Sequence, residues 1–145
     1  MLFEQSREPG TATSSSQAPI TTRSQGQVAN DAKVMEAGYT WVQVDLRGTG
    51  ASTGCLDWNG PGEQQDVVTA VEWAAAQPWS NGRVGLFGKS YDGVTGLIAA
   101  GNQPRGLAAV VAQEPAMEPY TYLYNNEVPY YNAIGTSLSL SLIHI

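Results

Sequence analysis

Cysteine, histidine and positive charge are scarce in this chain. Cys55 is the single cysteine, which excludes an internal disulfide and a cysteine-rich metal centre and leaves a loop thiol as the plain reading. His144 is the single histidine. Seven lysines and arginines stand against thirteen aspartates and glutamates, a formal net charge of −6 over 145 residues. A chain so poor in basic residues is an unsuitable partner for nucleic acid or an anionic membrane surface. No apolar run approaches the roughly 20 residues that span a bilayer. Met1-Leu2-Phe3-Glu4 lacks the apolar core of a signal peptide, and the compartment stays open. Residues 1–28 are rich in Ser, Thr, Gln, Gly and Pro with little apolar periodicity. They read as a disordered or non-native N-terminal segment. The length allows one domain at most.

What is present is concentrated between Val84 and Gly93. A short apolar run ends in Gly88-Lys89-Ser90 and passes at once into a helical pattern from Tyr91 to Ala100. A serine on a tight, strained strand-to-helix turn stands with its hydroxyl exposed at the carboxyl edge of a sheet. Gly88 has to be small, because a side chain there would collide with the following helix. The Tyr91 N–H, at the helix N-terminus, points to where an oxyanion would develop. The common pattern has a glycine two residues after the serine. Asp92 occupies that place here, and Gly93 follows one residue later.

Around this motif the pattern alternates. Ala29 to Ala37 reads as a short helix stopped by Gly38, and Tyr39 to Asp45 as a buried strand. A glycine-containing loop covers residues 46–60. Pro61 opens a helix whose first turn carries Glu63 and Asp66 and whose apolar stripe is Val67, Val71, Ala74 and Ala75. Pro78 and Asn81-Gly82 break it. The serine strand spans 83–88, and Leu107 to Ala112 is a third buried strand. Gly93 and Gly96 let the intervening helix lie close to the sheet. Strands alternating with helices predict βαβ units and a parallel sheet. Residues 113–133 read as irregular and tyrosine-rich.

Three segments together carry a resemblance: Asp45-Leu46-Arg47-Gly48-Thr49-Gly50-Ala51-Ser52, then Pro78-Trp79-Ser80-Asn81-Gly82-Arg83-Val84-Gly85, then Gly88-Lys89-Ser90-Tyr91-Asp92-Gly93. In order and spacing the chain resembles the Xaa-Pro dipeptidyl-peptidase and cocaine-esterase family of α/β-hydrolases over about residues 38–135. The family elbow, G-x-S-Y-x-G, accounts for the late Gly93. The resemblance implies a nucleophile at Ser90 and an oxyanion donor in the Tyr91 N–H. It implies no metal or organic cofactor. The family's second oxyanion donor is a tyrosine hydroxyl on a loop before the first strand seen here, and residues 1–38 contain no tyrosine. The family's acid and histidine lie beyond the third strand, and nothing here matches either.

Other residues invite roles. Asp92 reads as an exposed first-turn acid on the helix dipole rather than a triad acid. Lys89 beside the serine reads as solvent-facing rather than as half of a Ser-Lys dyad. Asp45 and Arg47 read as a loop-bracing pair. Tyr120, Tyr122, Tyr124, Tyr130 and Tyr131 follow the third strand, on the side where such sheets bind ligands. Tyr120 and Tyr124 are the candidates for a substrate pocket; the alternative is a cap segment burying its own rings. Glu114, Glu118 and Glu127 could hold a substrate ammonium but read as surface carboxylates. His144 would be the general base by elimination. However, Leu140 to Ile145 back-translates to a sequencing-library adaptor, so residues 137–145 are expected to be a foreign tail.

The fold expected is α/β: a partial α/β-hydrolase over residues 29–136, with a parallel core of about three strands and flanking helices, incomplete at both ends. The function expected is a serine hydrolase of the Xaa-Pro dipeptidyl-peptidase-like class acting on small peptides or esters, inactive as this fragment. The alternatives are an ester hydrolase of the cocaine-esterase type and a non-catalytic structural or binding fragment. Oligomeric state is not legible. The strand expected between those at 39–45 and 83–88 has no good source before residue 29, since Pro19 spoils the candidate Ala18 to Thr22. Direct pairing or a gap is therefore expected, with an unstable, aggregation-prone sheet.

Overall fold

The computed structural model describes the backbone of Leu2–Ser6 and the residues 33–115 and 118–130. The chain divides into two compact units, Met1–Pro115 and Ala116–Ile145.

The first unit is built on a four-stranded sheet. Its elements are β1 (Leu2–Ser6), β2 (Tyr39–Val42), α1 (Pro61–Ala75), β3 (Ser80–Lys89), α2 (Tyr91–Asn102) and β4 (Leu107–Gln113). The strand order is β2-β1-β3-β4. β3 and β4 run parallel, in register from Gly85 opposite Ala109 to Lys89 opposite Gln113. With α2 as the crossover they form the expected βαβ unit.

The core lies between the sheet and the two helices. Val67, Val71 and Ala74 of α1, Val84 and Leu86 of β3, and Ala99 of α2 are buried together. Full burial of Val71 and Val84 contributes roughly 1.5–3 kcal/mol each. The α1 stripe begins one turn earlier than its apolar residues suggest, because Glu63 is also fully buried. Helix α2 lies close to the sheet as its glycines predict. A Cβ on Gly96 would stand 2.9 Å from Val110 Cγ1, and one on Gly93 2.9 Å from Gln113 O.

Leu2–Ser6 corrects two expectations. These residues, placed in a disordered stretch from sequence, form β1, and β1 fills the position where a gap or direct pairing was expected. It runs antiparallel to both neighbours, with Leu2 opposite Val42 on one side and Leu86 on the other. The segment is free of proline, so it donates to both ladders as a central strand must. The core is thus a mixed four-stranded sheet rather than a parallel one of three. The expected instability loses its premise. Residues 7–32, including Ala18 to Thr22, lie outside the described residues.

Boundaries shift for local reasons. β2 ends at Val42 rather than Asp45, since Val42 pairs with Leu2 at the end of β1. β3 begins at Ser80, where it meets Ser6. The described part of the expected helix before Gly38 is a run of turns. Ala37 N–H donates to Lys33 O at 3.0 Å, and Gly38 ends the run at φ 85°. The Pro78–Gly85 motif is a built corner. Ser80 is buried, its hydroxyl donates to Ala75 O at 2.9 Å and accepts from Gly82 N–H at 2.8 Å. This closes the C-terminus of α1 and starts β3.

The second unit, expected to be irregular, contains a short helix α3 (Pro119–Leu123) and a hairpin of β5 (Tyr124–Asn125) and β6 (Val128–Pro129). Asn126 and Glu127 take φ of 48° and 68°, the two positive values that a type I′ turn demands.

Candidate active site

Ser90 stands between the last residue of β3 and the first of α2, with φ 58° and ψ −119°. A non-glycine residue there is strained, at a cost on the order of 1–3 kcal/mol. The expected positive φ at a strand-to-helix junction is present. Its backbone is pinned from both sides. Ser90 N–H donates to Gln113 O of β4 at 2.9 Å, and Val94 N–H donates to Ser90 O at 3.1 Å. The residue is exposed. Gly88 is obligatory in the sense expected. A Cβ there would meet the carbonyl carbon and oxygen of Asp92 at 2.4 Å each.

Tyr91 is the first residue of α2, so its N–H belongs to the turn whose donors have no intrahelical acceptor. The half-buried phenol donates to Glu63 Oε1. Glu63 Oε2 accepts the N–H of Asn59, and Asp57 accepts Gly62 N–H at 2.9 Å and Glu63 N–H at 3.0 Å. Asp57 thereby caps α1 from outside, because the N-cap residue Gly60 has no side chain to do it. Gln64 Nε2 donates to Asn59 O at 2.8 Å.

Glu63 is the residue the sequence did not reveal as special. Desolvation pushes its carboxyl above the ordinary glutamate range. The Asn59 N–H pulls it down, Asp57 and Asp66 push it up, and Arg47 pulls it down. Arg47 itself corrects an expectation. It braces α1 rather than Asp45, gripping Asp66 through Nε at 2.6 Å and Nη2 at 2.8 Å. That hydrogen bond holds the Asp66 carboxyl below its usual range. Asp45 instead serves its own loop, accepting Ala51 N–H at 3.2 Å on its side chain and Ser52 Oγ at 2.8 Å on its backbone.

The two acids bias stability in opposite directions. Asp66, lowered on folding, stabilises above the ordinary carboxylate range, and this is lost as pH falls through its folded value. Glu63, raised on folding, favours the native state when protonated. That contribution is lost as pH rises through its folded value. Glu63→Gln should therefore melt progressively higher relative to the parent as pH rises from the ordinary glutamate range upward. Parallel Tm-versus-pH curves for the two proteins would show the assignment to be wrong.

Asp92 is half-buried rather than exposed. It lines a cleft of about 830 Å³ with Val42, Asp66, Val67, Leu86 and Thr95, and Ser90 is not among the lining residues. Lys89 faces solvent as expected, paired with the exposed Glu114 at 3.0 Å. In the second unit Tyr120 and Tyr124 stack with centroids 5.2 Å apart and planes at 14°. Tyr120 remains 54% exposed, so the stack buries only part of its ring. Glu118 and Glu127 are exposed. Tyr131, His144 and the tail 137–145 lie outside the described residues, and so does the side chain of Tyr122. Among the described residues no group of three His, Cys, Asp or Glu is arranged to hold a metal ion.

Comparison with known proteins gives a consistent set of likenesses. The family model for X-Pro dipeptidyl-peptidase (S15 family) matches residues 6–143. A protein of Mycobacterium bovis provisionally named a serine esterase is 35% identical over 91 residues, 61% of this chain and 14% of its own. One of Streptomyces avermitilis provisionally named an Xaa-Pro dipeptidyl-peptidase is 31% identical over 111 residues, 66% of this chain and 16% of its own. The crystal structure of a CocE/NonD family hydrolase from Staphylococcus aureus superposes with a TM-score of 0.63 at 30% identity, covering 68% of this chain and 18% of that one. The chain thus spans less than a fifth of the length of each.

Proposed function

The chain belongs to the X-Pro dipeptidyl-peptidase (S15) family, and from that premise we propose that the whole protein is a serine hydrolase with Ser90 as its nucleophile. The observation that carries the proposal is the Ser90 backbone, at φ 58° and ψ −119° between β3 and α2. Strain of this kind persists only where the surroundings enforce it. Here they do so through Gln113 O, Val94 N–H and the close passage of Gly88 under Asp92.

In this reading Ser90 Oγ attacks the carbonyl carbon of a peptide or ester and its proton passes to a general base. The carbonyl oxygen takes up the electron pair and is met by the Tyr91 N–H. Collapse expels the amine or alcohol and leaves an acyl-serine, which water hydrolyses. The base and its acid partner are not assigned to residues of this chain.

Treating the whole protein with a fluorophosphonate should place one phosphonyl group on the peptide containing Ser90, read by mass spectrometry. A label confined to another residue would overturn the assignment. Two substrate classes are open, because the relatives carry both peptidase and esterase names. Parallel assays on dipeptidyl-proline amides and aryl esters separate them by kcat/KM. The peptidase reading predicts the higher value on the amides.

A further inference from the structure

We propose that Glu63 is a positioning residue for the reaction: through the Tyr91 phenol it fixes the direction of the Tyr91 N–H at the elbow. The inference rests on the reading of Ser90 as nucleophile. It adds a residue on a different helix that touches neither Ser90 nor solvent.

The argument begins with the cost of the arrangement. Glu63 is fully buried, on the same stripe of α1 as Val67, Val71 and Ala74. A carboxyl placed there gives up its hydration and needs hydrogen bonds in return. Both of its oxygens have them: Oε1 takes the Tyr91 hydroxyl and Oε2 the Asn59 N–H. An apolar residue would fill the stripe without that cost. What the carboxylate supplies that a leucine could not is a link to Tyr91.

The link matters because of what Tyr91 is. Its backbone follows the strained Ser90 and begins α2. Its N–H has to aim at an oxyanion that exists only in the transition state. The ring and the N–H belong to one residue, so fixing the phenol limits rotation of the whole first turn. Glu63 is itself immobilised. Asp57 holds its N–H at 3.0 Å, and Gln64 Nε2 holds Asn59 O at 2.8 Å. The chain of bonds from the 57–60 loop through Glu63 to Tyr91 joins the N-terminus of α1 to that of α2. Glu63 is unsuited to act as the base, having no exposure and no free oxygen.

The test is a double-mutant cycle in the whole protein, with Ser90→Ala as reference. Tyr91→Phe removes only the hydroxyl, and Glu63→Ala removes its partner. Each should lower kcat by about 10- to 100-fold, the scale of a small misplacement at a reacting centre, with little change in KM. The pair together should be no worse than the weaker single variant. Glu63→Gln should recover most of the activity, since a carboxamide can accept from Asn59 N–H and donate to the Tyr91 oxygen. Parental kcat in Tyr91→Phe, additive losses in the pair, or a failure of Glu63→Gln to recover activity would each overturn the inference while Ser90→Ala remains inactive. Activity retained in Ser90→Ala would instead overturn the nucleophile reading. Should Glu63→Ala not fold, Tyr91→Phe and Glu63→Gln decide the matter alone.

Discussion

Ser90→Ala in the whole protein should abolish turnover, with kcat falling by a factor on the order of 10⁶ and folding unharmed. The expectation follows from geometry. The side chain is exposed and makes no packing contribution to the core described above, so its loss has no structural route to inactivity. Alanine also has no γ-oxygen to attack a carbonyl. The variant must still accept φ 58°, which the Gln113 and Val94 hydrogen bonds continue to hold. Steady-state kinetics on whichever substrate class proves active, with a thermal melt alongside, checks both halves. A loss of only a few-fold would point to another nucleophile.

Gly88→Ala should do the opposite kind of damage. The new Cβ would lie 2.4 Å from the carbonyl carbon and oxygen of Asp92. Those are backbone atoms of the first turn of α2, so relief requires the helix to move away from β3. Overpacking of this kind costs roughly 3 kcal/mol, and here the movement also drags Ser90 and Tyr91 out of place. Lower Tm and loss of fluorophosphonate labelling should therefore appear together. Gly101→Ala is the matching control. It lies in the same helix, a Cβ there meets nothing within 4 Å, and removing a helical glycine should stabilise by roughly 0.5–1 kcal/mol. If the two variants melt alike, the close approach at Gly88 is not what sets the elbow.

The elbow was legible because its chemistry is local. A small residue, a serine and a helix start must follow one another in the chain, and Gly88, Ser90 and Tyr91 do. The βαβ unit was legible for the same reason, from the apolar runs on either side of the helical stretch that holds Gly93 and Gly96. What escaped depends on partners far along the chain. Leu2–Ser6 is too short to show a period, and its role appears only when Val42 and Leu86 lie on either side. Proximity in sequence pairs Arg47 with Asp45, whereas Asp66 across the loop offers both oxygens in bidentate geometry. As a first-turn acid Glu63 suits the helix dipole. A signal was there. Counting back four residues from Val67 along the apolar stripe lands on Glu63, a carboxylate where the pattern calls for a hydrocarbon.

The order of the strands also sets an order of events in folding. β3 and β4 are joined by α2 alone, so Gly85 finds Ala109 across a short stretch of chain. Leu2 must instead find Leu86 across most of the first unit. Closing that longer loop costs about 1 kcal/mol more in chain entropy, before any contact repays it. The two-strand unit that carries the serine can therefore organise first, and β1 and β2 dock onto it afterwards. The strained turn is then formed by the part of the protein least dependent on distant sequence, and the late strands inherit an elbow already bent.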